Sequence, residues 1–180
     1  MKIRKGGVAM SSFEIIPAEK FDYSPFRMIG EDWMLIAAEK DGKVNAMTAS
    51  WGGLGVMWNK NVAYIFIRES RYTKEFIDQS SSFSLTFFDH KADAKMLGYM
   101  GSASGRDEDK IEKMGLTVQH QEGVPYFEEA LTVMICNKIT RIPIDPKDMP
   151  EEINEKFYKD GNYHDMYIGE VVQILCKHTK

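Results

Sequence analysis

The segment NAMTASWGG sets Thr48, Ala49 and Ser50 in a row, with Asn45, Ala46 and Met47 before them and Trp51 and two glycines after. A strand that only buries a face uses β-branched or large apolar residues. Small, hydroxyl-bearing ones leave room for something to lie against the backbone. Further on, FIRESRYTKEF places Arg68 and Arg71 between an apolar run and a helical pattern that includes Tyr72 and Thr73. Free N–H groups at a helix start, reinforced by the helix dipole, favour an anion such as phosphate. Arginines add charge-assisted, bidentate contacts. If the two strand ends share one rim of a sheet, they offer a flat bed beside a phosphate cradle. The hydroxyls of Thr48 and Ser50 then face the polar edge of a ring, and Trp51 walls it. Each feature also has a plainer reading: a solvent-facing strand, surface ion pairs, and a helix capped by Ser70.

The elements that must position these residues are mainly strands. DWMLIAAEK reads as a strand, and Asp41-Gly42 is a two-residue hairpin signal leading into KVNAMTASW. Gly52, Gly53 and Gly55 are expected to break the sheet before VAYIFIR, an apolar run suited to a strand covered on both faces. Residues 70–79 show helical spacing, and FSLTFF resumes the sheet. KADAKMLGYM is expected to be a short helix, GSASGRDEDK a loop, and IEKM a second helix stopped by Gly115. LTVMICNKITRI and MYIGEVVQILCK are long strands separated by an acidic, Pro-bearing excursion over 143–162. Many strands, short helices and hairpin turns predict an antiparallel barrel with peripheral helices.

Composition narrows the function. The 180 residues are 43% apolar and 28% charged, the pattern of an ordinary soluble globular protein with one domain. The expected organisation is an N-terminal extension over 1–12 followed by a domain over 13–180. A net charge of -4 without a basic stripe argues against nucleic-acid binding. No run is long and apolar enough for a membrane span or a secretory signal, so a cytoplasmic protein is expected. The two cysteines, Cys136 and Cys176, lie in apolar strands without metal-ligand spacing and read as buried thiols; no metal site is expected. The 12 methionines are scattered and read as core filler.

A planar ring with a phosphate tail, such as flavin mononucleotide (FMN), fits the bed and cradle. Four motifs in order, NAMTASWGG, FIRESRYTKEF, GSASGRDEDK and YHDMYIGE, resemble the flavin reductase-like, FMN-binding split-barrel family, and more narrowly its flavoredoxin branch. The resemblance implies a six-stranded antiparallel split barrel of Greek-key topology and a homodimer with one non-covalent FMN per subunit near the interface. It also implies that the segment from Asn45 to Trp51 runs along the isoalloxazine, with Arg68, Arg71 and Thr73 on the phosphate side. Where family members carry proline after the first arginine, this chain has Glu69, an acid close to the proposed phosphate.

His164 and Tyr167 border the flavin if the last strand returns beside the site; otherwise His164 caps a strand end and Tyr167 is core. GSASGRDEDK lacks the Lys-Ser/Thr ending of a P-loop. It is either a lid touching the ligands through Ser102, Ser104, Arg106 or Lys110, or a solvated loop. GGLG has the wrong spacing for a dinucleotide fingerprint. No Ser-His-Asp set or nucleophile elbow is present. Hydride transfer needs none, because the cofactor carries that chemistry. Three functions follow. The first is an oxidoreductase passing hydride from NAD(P)H through FMN to free flavin or a redox protein. The second is an FMN-holding electron carrier fed by a partner, and the third a non-enzymatic FMN-binding module.

Overall fold

The computed structural model describes residues 13–177; the extension expected over 1–12 and residues 178–180 lie outside the described residues. The chain opens with β1 (Phe13–Ile16) and a short helix, α1 (Pro25–Arg27), that runs into one π-helical turn over Met28–Asp32. Two hairpins follow: β2 (Met34–Lys40) with β3 (Lys43–Ala49), then β4 (Gly52–Met57) with β5 (Lys60–Arg68). Next come α2 (Tyr72–Gln79), β6 (Ser82–Phe87), α3 (His90–Ser102) and α4 (Lys110–Lys113). The hairpin of β7 (Val118–Gln121) and β8 (Val124–Phe127) precedes β9 (Thr132–Pro143), α5 (Glu151–Phe157) and β10 (His164–Lys177).

Three turns decide the hairpins. Asp41 and Gly42, Trp58 and Asn59, and Glu122 and Gly123 all hold φ between 51° and 79°. Two successive left-handed residues make a type I′ turn, whose twist matches that of the strands it joins. The main sheet runs β3-β2-β6-β9-β10-β5-β4, antiparallel throughout, and β1 adds to the far end of β10. After β5 the chain crosses by α2 to pair β6 with β2, while β10 returns to β5, a Greek-key connection. The outermost strands β3 and β4 are consecutive in the chain, linked only by Ser50 and Trp51, so the two sheet edges lie together at the slit of a split barrel.

The barrel interior holds Met34, Ile36, Ala63, Ile65, Phe83, Met134 and Tyr167, with Phe76 and Ile77 of α2 packed into it. A second cluster covers the outer face, where Leu35, Ala37 and Ala46 meet Leu97 and Met100 of α3 and Phe127 of β8. Burial on both faces is why β2 reads as an unbroken apolar run rather than an alternating one.

The mainly β split barrel is the expected one, but its main sheet has eight strands rather than six. Gly52, Gly53 and Gly55 do not break the sheet: they form β4 and pair with β5. Their smallness admits Tyr64, whose ring lies 3.4–3.6 Å from where the Cβ atoms of Gly53 and Gly55 would stand. The β7–β8 hairpin and β1 were not anticipated. α3 runs two residues beyond the expected helix, to Ser102, because Gly101 packs directly on β3; a Cβ there would sit 3.2 Å from Thr48 Cβ.

At Gly169, where β10 shifts register against β9, a Cβ would stand 2.6 Å from Phe83 Cζ and 3.1 Å from Cys136 Cβ. Gly169→Ala should therefore overpack the interior and cost about 1–3 kcal/mol. The check is thermal unfolding: a Tm several degrees lower is expected, with wild-type secondary structure by circular dichroism at low temperature.

Candidate functional site

β5 delivers Arg68 to the rim of the barrel, and a turn closed by Arg71 N–H to Arg68 O (3.0 Å) starts α2. Arg71 occupies the N-cap position in an extended conformation, and no side chain among the described residues caps the helix. Ser70, the expected cap, instead accepts a hydrogen bond from Asn162 Nδ2 at 2.8 Å. The first amides of α2 thus have no side-chain acceptor, and Tyr72 and Thr73 line a cleft there.

The opposite wall is the end of α3. Thr48 Oγ1 donates to Leu97 O at 2.6 Å, holding the helix on β3. The last carbonyls of α3 and its cap take up cations: Arg71 Nη1 donates to Gly101 O at 2.6 Å, and Lys110 Nζ to Met100 O and Ala103 O at 2.8 and 3.0 Å. Cations at a helix C-terminus are favoured by its exposed carbonyls and dipole. The third wall comes from α5 and the loop after it. Arg68 donates to Asn162 O at 2.9 Å and to Phe157 O at 3.0 Å, with Asp160 3.8 Å away.

These walls enclose two adjoining clefts. The larger, about 530 Å³, is lined by Arg68, Arg71, Lys110, Lys156 and Lys159 against the single carboxylate of Asp160, with Thr73, Ser102 and Ser104 among its hydroxyls. The narrower, about 210 Å³, is lined by Met47, Thr48, Ala49, Ser50 and Trp51, with Phe66 and His164; it shares Met47, Arg68 and Arg71 with the first. Among the described residues β3 has a strand on one side only, so the backbone of its other edge is open at this rim.

Charge is unbalanced here. Among the described residues no carboxylate forms an ion pair with Arg71 or Lys110. Burial, then the neighbouring Arg68, lowers the pKa of Arg71. Burial, then Arg71, pushes Lys110 down to about 8. His164 is pushed down to about 4 by burial and then by Arg68 and Arg71. Removing cations from water without a counter-ion is unfavourable, and an anion in the cleft relieves it.

Most of the residues picked out from sequence converge. Met47, Thr48, Ala49, Ser50, Trp51, Arg68, Arg71, Tyr72, Thr73, Ser102 and His164 line one cleft or both. Asn45 stands behind the wall, buried, its Nδ2 donating to Thr73 Oγ1 at 2.8 Å. Ala46 is buried in the outer core. Tyr167 lines neither cleft; it is wholly buried and donates to Asp78 Oδ1 at 2.6 Å. An odd step of three residues from His164 turns it to the other face of β10. Glu69 is exposed and also lines neither cleft. GSASGRDEDK is packed rather than a freely solvated loop: Gly105 lies against Asn45 and Tyr72, Arg106 donates to Ser70 O and Glu75, and Ser102, Ser104 and Lys110 line the larger cleft. Sequence reasoning missed Phe66, Lys156, Phe157, Lys159, Asp160 and Asn162. For those in the 143–162 excursion the only signal was Lys156 and Lys159, two of its three lysines among many acids.

The split barrel with this rim defines a class, and comparison with known proteins agrees. The chain matches the family model described as flavin reductase like domain over residues 26–180, and it belongs to that family. No curated protein sequence matches it. Among solved structures it is similar to an FMN-binding domain of a flavin reductases-like enzyme from Shewanella baltica. The two share 20% identity over 92% of this chain and 77% of that one, with a TM-score of 0.67. A flavoredoxin from Methanosarcina acetivorans shares 23% identity over 88% and 72% of the chains, TM-score 0.62. An FMN-binding protein from Thermus thermophilus shares 18% over 97% and 79%, TM-score 0.63.

The low pKa of His164 has a consequence for stability. Between the ordinary value of 6.5 and about 4, the unfolded chain takes up a proton that the folded chain refuses. The contribution is therefore fully present above about pH 6.5 and is lost as pH falls toward 4. Tm measured from pH 7.5 to 5 should drop more steeply for the wild type than for His164→Gln; parallel slopes would contradict the assignment.

Proposed function

We propose that the two clefts hold one non-covalent FMN and that the protein is an NAD(P)H-dependent flavin reductase-like oxidoreductase. The observation that supports this best is the pairing of Arg71 and Lys110, neither of them ion-paired to a carboxylate among the described residues, at the uncapped start of α2. A phosphate carrying close to two negative charges is the counter-ion such a place calls for. In this reading Arg68, Arg71, Lys110, Thr73 and the first amides of α2 bind the phosphate. The narrow cleft along Met47 to Trp51 takes the ring, with the open edge of β3 against its polar side.

FMN, when bound, supplies the group that accepts and passes on hydride. The protein's residues bind, orient and exclude water. Trp51, in contact with Phe157 at 5.4 Å and His164 at 5.1 Å between ring centroids, walls the bed. His164 is held neutral by burial and by Arg68 and Arg71. The reductant is NADH or NADPH, stacked transiently on the ring, and the acceptor is free flavin or a redox protein.

The working form is a cytoplasmic homodimer, in which exposed Tyr23, Phe26, Val56 and Trp58 are covered. Among the described residues no helix is long and apolar enough to cross a membrane. A second reading, an electron carrier fed by a partner protein, draws support from the glycines of GGLG, which form a strand rather than a dinucleotide-binding turn.

The test is the visible spectrum of the purified protein before and after anaerobic addition of NADH or NADPH. A yellow protein bleached by either one is expected. Bleaching only when a redox protein is added would select the carrier, and a protein that takes up no FMN would overturn both readings. Arg71→Ala removes charge-assisted contacts of about 1.5–3 kcal/mol each. It should weaken FMN binding by about ten- to a hundredfold in dialysis while the barrel stays folded; unchanged retention would remove Arg71 from the phosphate shell.

A further inference from the structure

His164 begins β10 opposite Arg68 of β5. Its Nδ1 lies 2.9 Å from the hydroxyl of Tyr158, which follows α5. The tyrosine is itself held: it is buried, its ring stacks on Tyr163 at 4.8 Å, and the Arg68 guanidinium lies over it at 5.4 Å. The direction of the hydrogen bond follows from what surrounds it. Burial raises the pKa of Tyr158, so the phenol keeps its proton. Nδ1 is the one acceptor found for that proton among the described residues, since the nearby Arg68 can only donate.

An imidazole that accepts at Nδ1 must carry its own proton at Nε2 if it is neutral. The charged form is disfavoured by burial, then by Arg68 and Arg71, with Asp165 the one group acting the other way. Nε2 has no protein partner among the described residues. Yet it is not sealed in, because the sole buried unpartnered side-chain polar atom among them is Thr86 Oγ1. The cavity that His164 lines is the narrow cleft.

We infer that Tyr158 is a positioning residue that locks His164 as the neutral Nε2–H tautomer, making it a fixed hydrogen-bond donor to a carbonyl oxygen of the planar ligand in the narrow cleft. The inference rests on the proposed function for the identity of that ligand, but the lock itself does not. A donor that never ionises in the working pH range recognises an acceptor on the ring and refuses a protonated one. It also gives the 143–162 excursion a task, since only this segment brings Tyr158 to the ring's wall.

The full-length protein, labelled with ¹⁵N-histidine, provides the test. At pH 7 without FMN, the signal assigned to His164 by its loss in His164→Gln should show a protonated Nε2 and a bare Nδ1. Addition of FMN should shift the Nε2 resonance. In Tyr158→Phe the two tautomers should interconvert, and FMN affinity by fluorescence titration should fall about three- to tenfold, the worth of one hydrogen bond. An imidazolium or an Nδ1–H form at pH 7 would overturn the lock, as would a Tyr158→Phe protein with unchanged spectrum and affinity. Because the tautomer is read before FMN is added, a chain with the Nε2–H form that takes up no FMN would instead overturn the flavin as its acceptor.

Discussion

Half-buried Arg71 and buried Lys110 meet with no ion-paired carboxylate among the described residues, and much of the rim is arranged to tolerate that. Main-chain carbonyls at the end of α3 accept from both. Neutral dipoles can hold such cations in place without cancelling their charge. The site therefore keeps a net positive potential in a protein whose total charge is -4. A carboxylate in place of those carbonyls would give a more stable rim and a weaker anion site.

The helix that carries this charge must itself be anchored, and the anchor lies on the barrel's inner side. Lys74 bridges Asp78 at 2.7 Å and the almost wholly buried Asp165 at 2.9 Å, and Arg141 also reaches Asp165 at 2.7 Å. Tyr167 completes the group through Asp78. Buried ion pairs add little net stability, but breaking one leaves an uncompensated charge, so they fix a register. Here the register is that of α2 against β10, which sets Arg71 and Thr73 across from His164. The tyrosine read from sequence as a ligand residue thus works one layer behind the site.

What the sequence revealed and what it hid divide along physical lines. Asp41-Gly42 was legible because glycine and aspartate advertise a left-handed turn, whereas Trp58-Asn59 makes the same turn without that signature. The glycines of β4 looked like a break because their reason, the ring of Tyr64, lies on the neighbouring strand. That Arg68 and Arg71 meet at one rim was legible, since a strand end and a helix start are local features. Of the two readings of Tyr167, the core one holds, because three residues from His164 it faces the other side of β10. Lys156, Phe157 and Tyr158 were hidden because an excursion without sheet periodicity gives no hint of where it folds back.

β3 ends the sheet with a backbone edge that no strand among the described residues covers. An open edge is a template on which another chain can build, the first step toward aggregation. Natural sheets guard such edges with charge, with covering loops or with helices, and this one is flanked by all three: two arginines, the packed segment around Gly105, and the ends of α2 and α3. The rim that suits it to a small anionic guest also keeps foreign strands off, so emptying it of charge would trade solubility as well as binding.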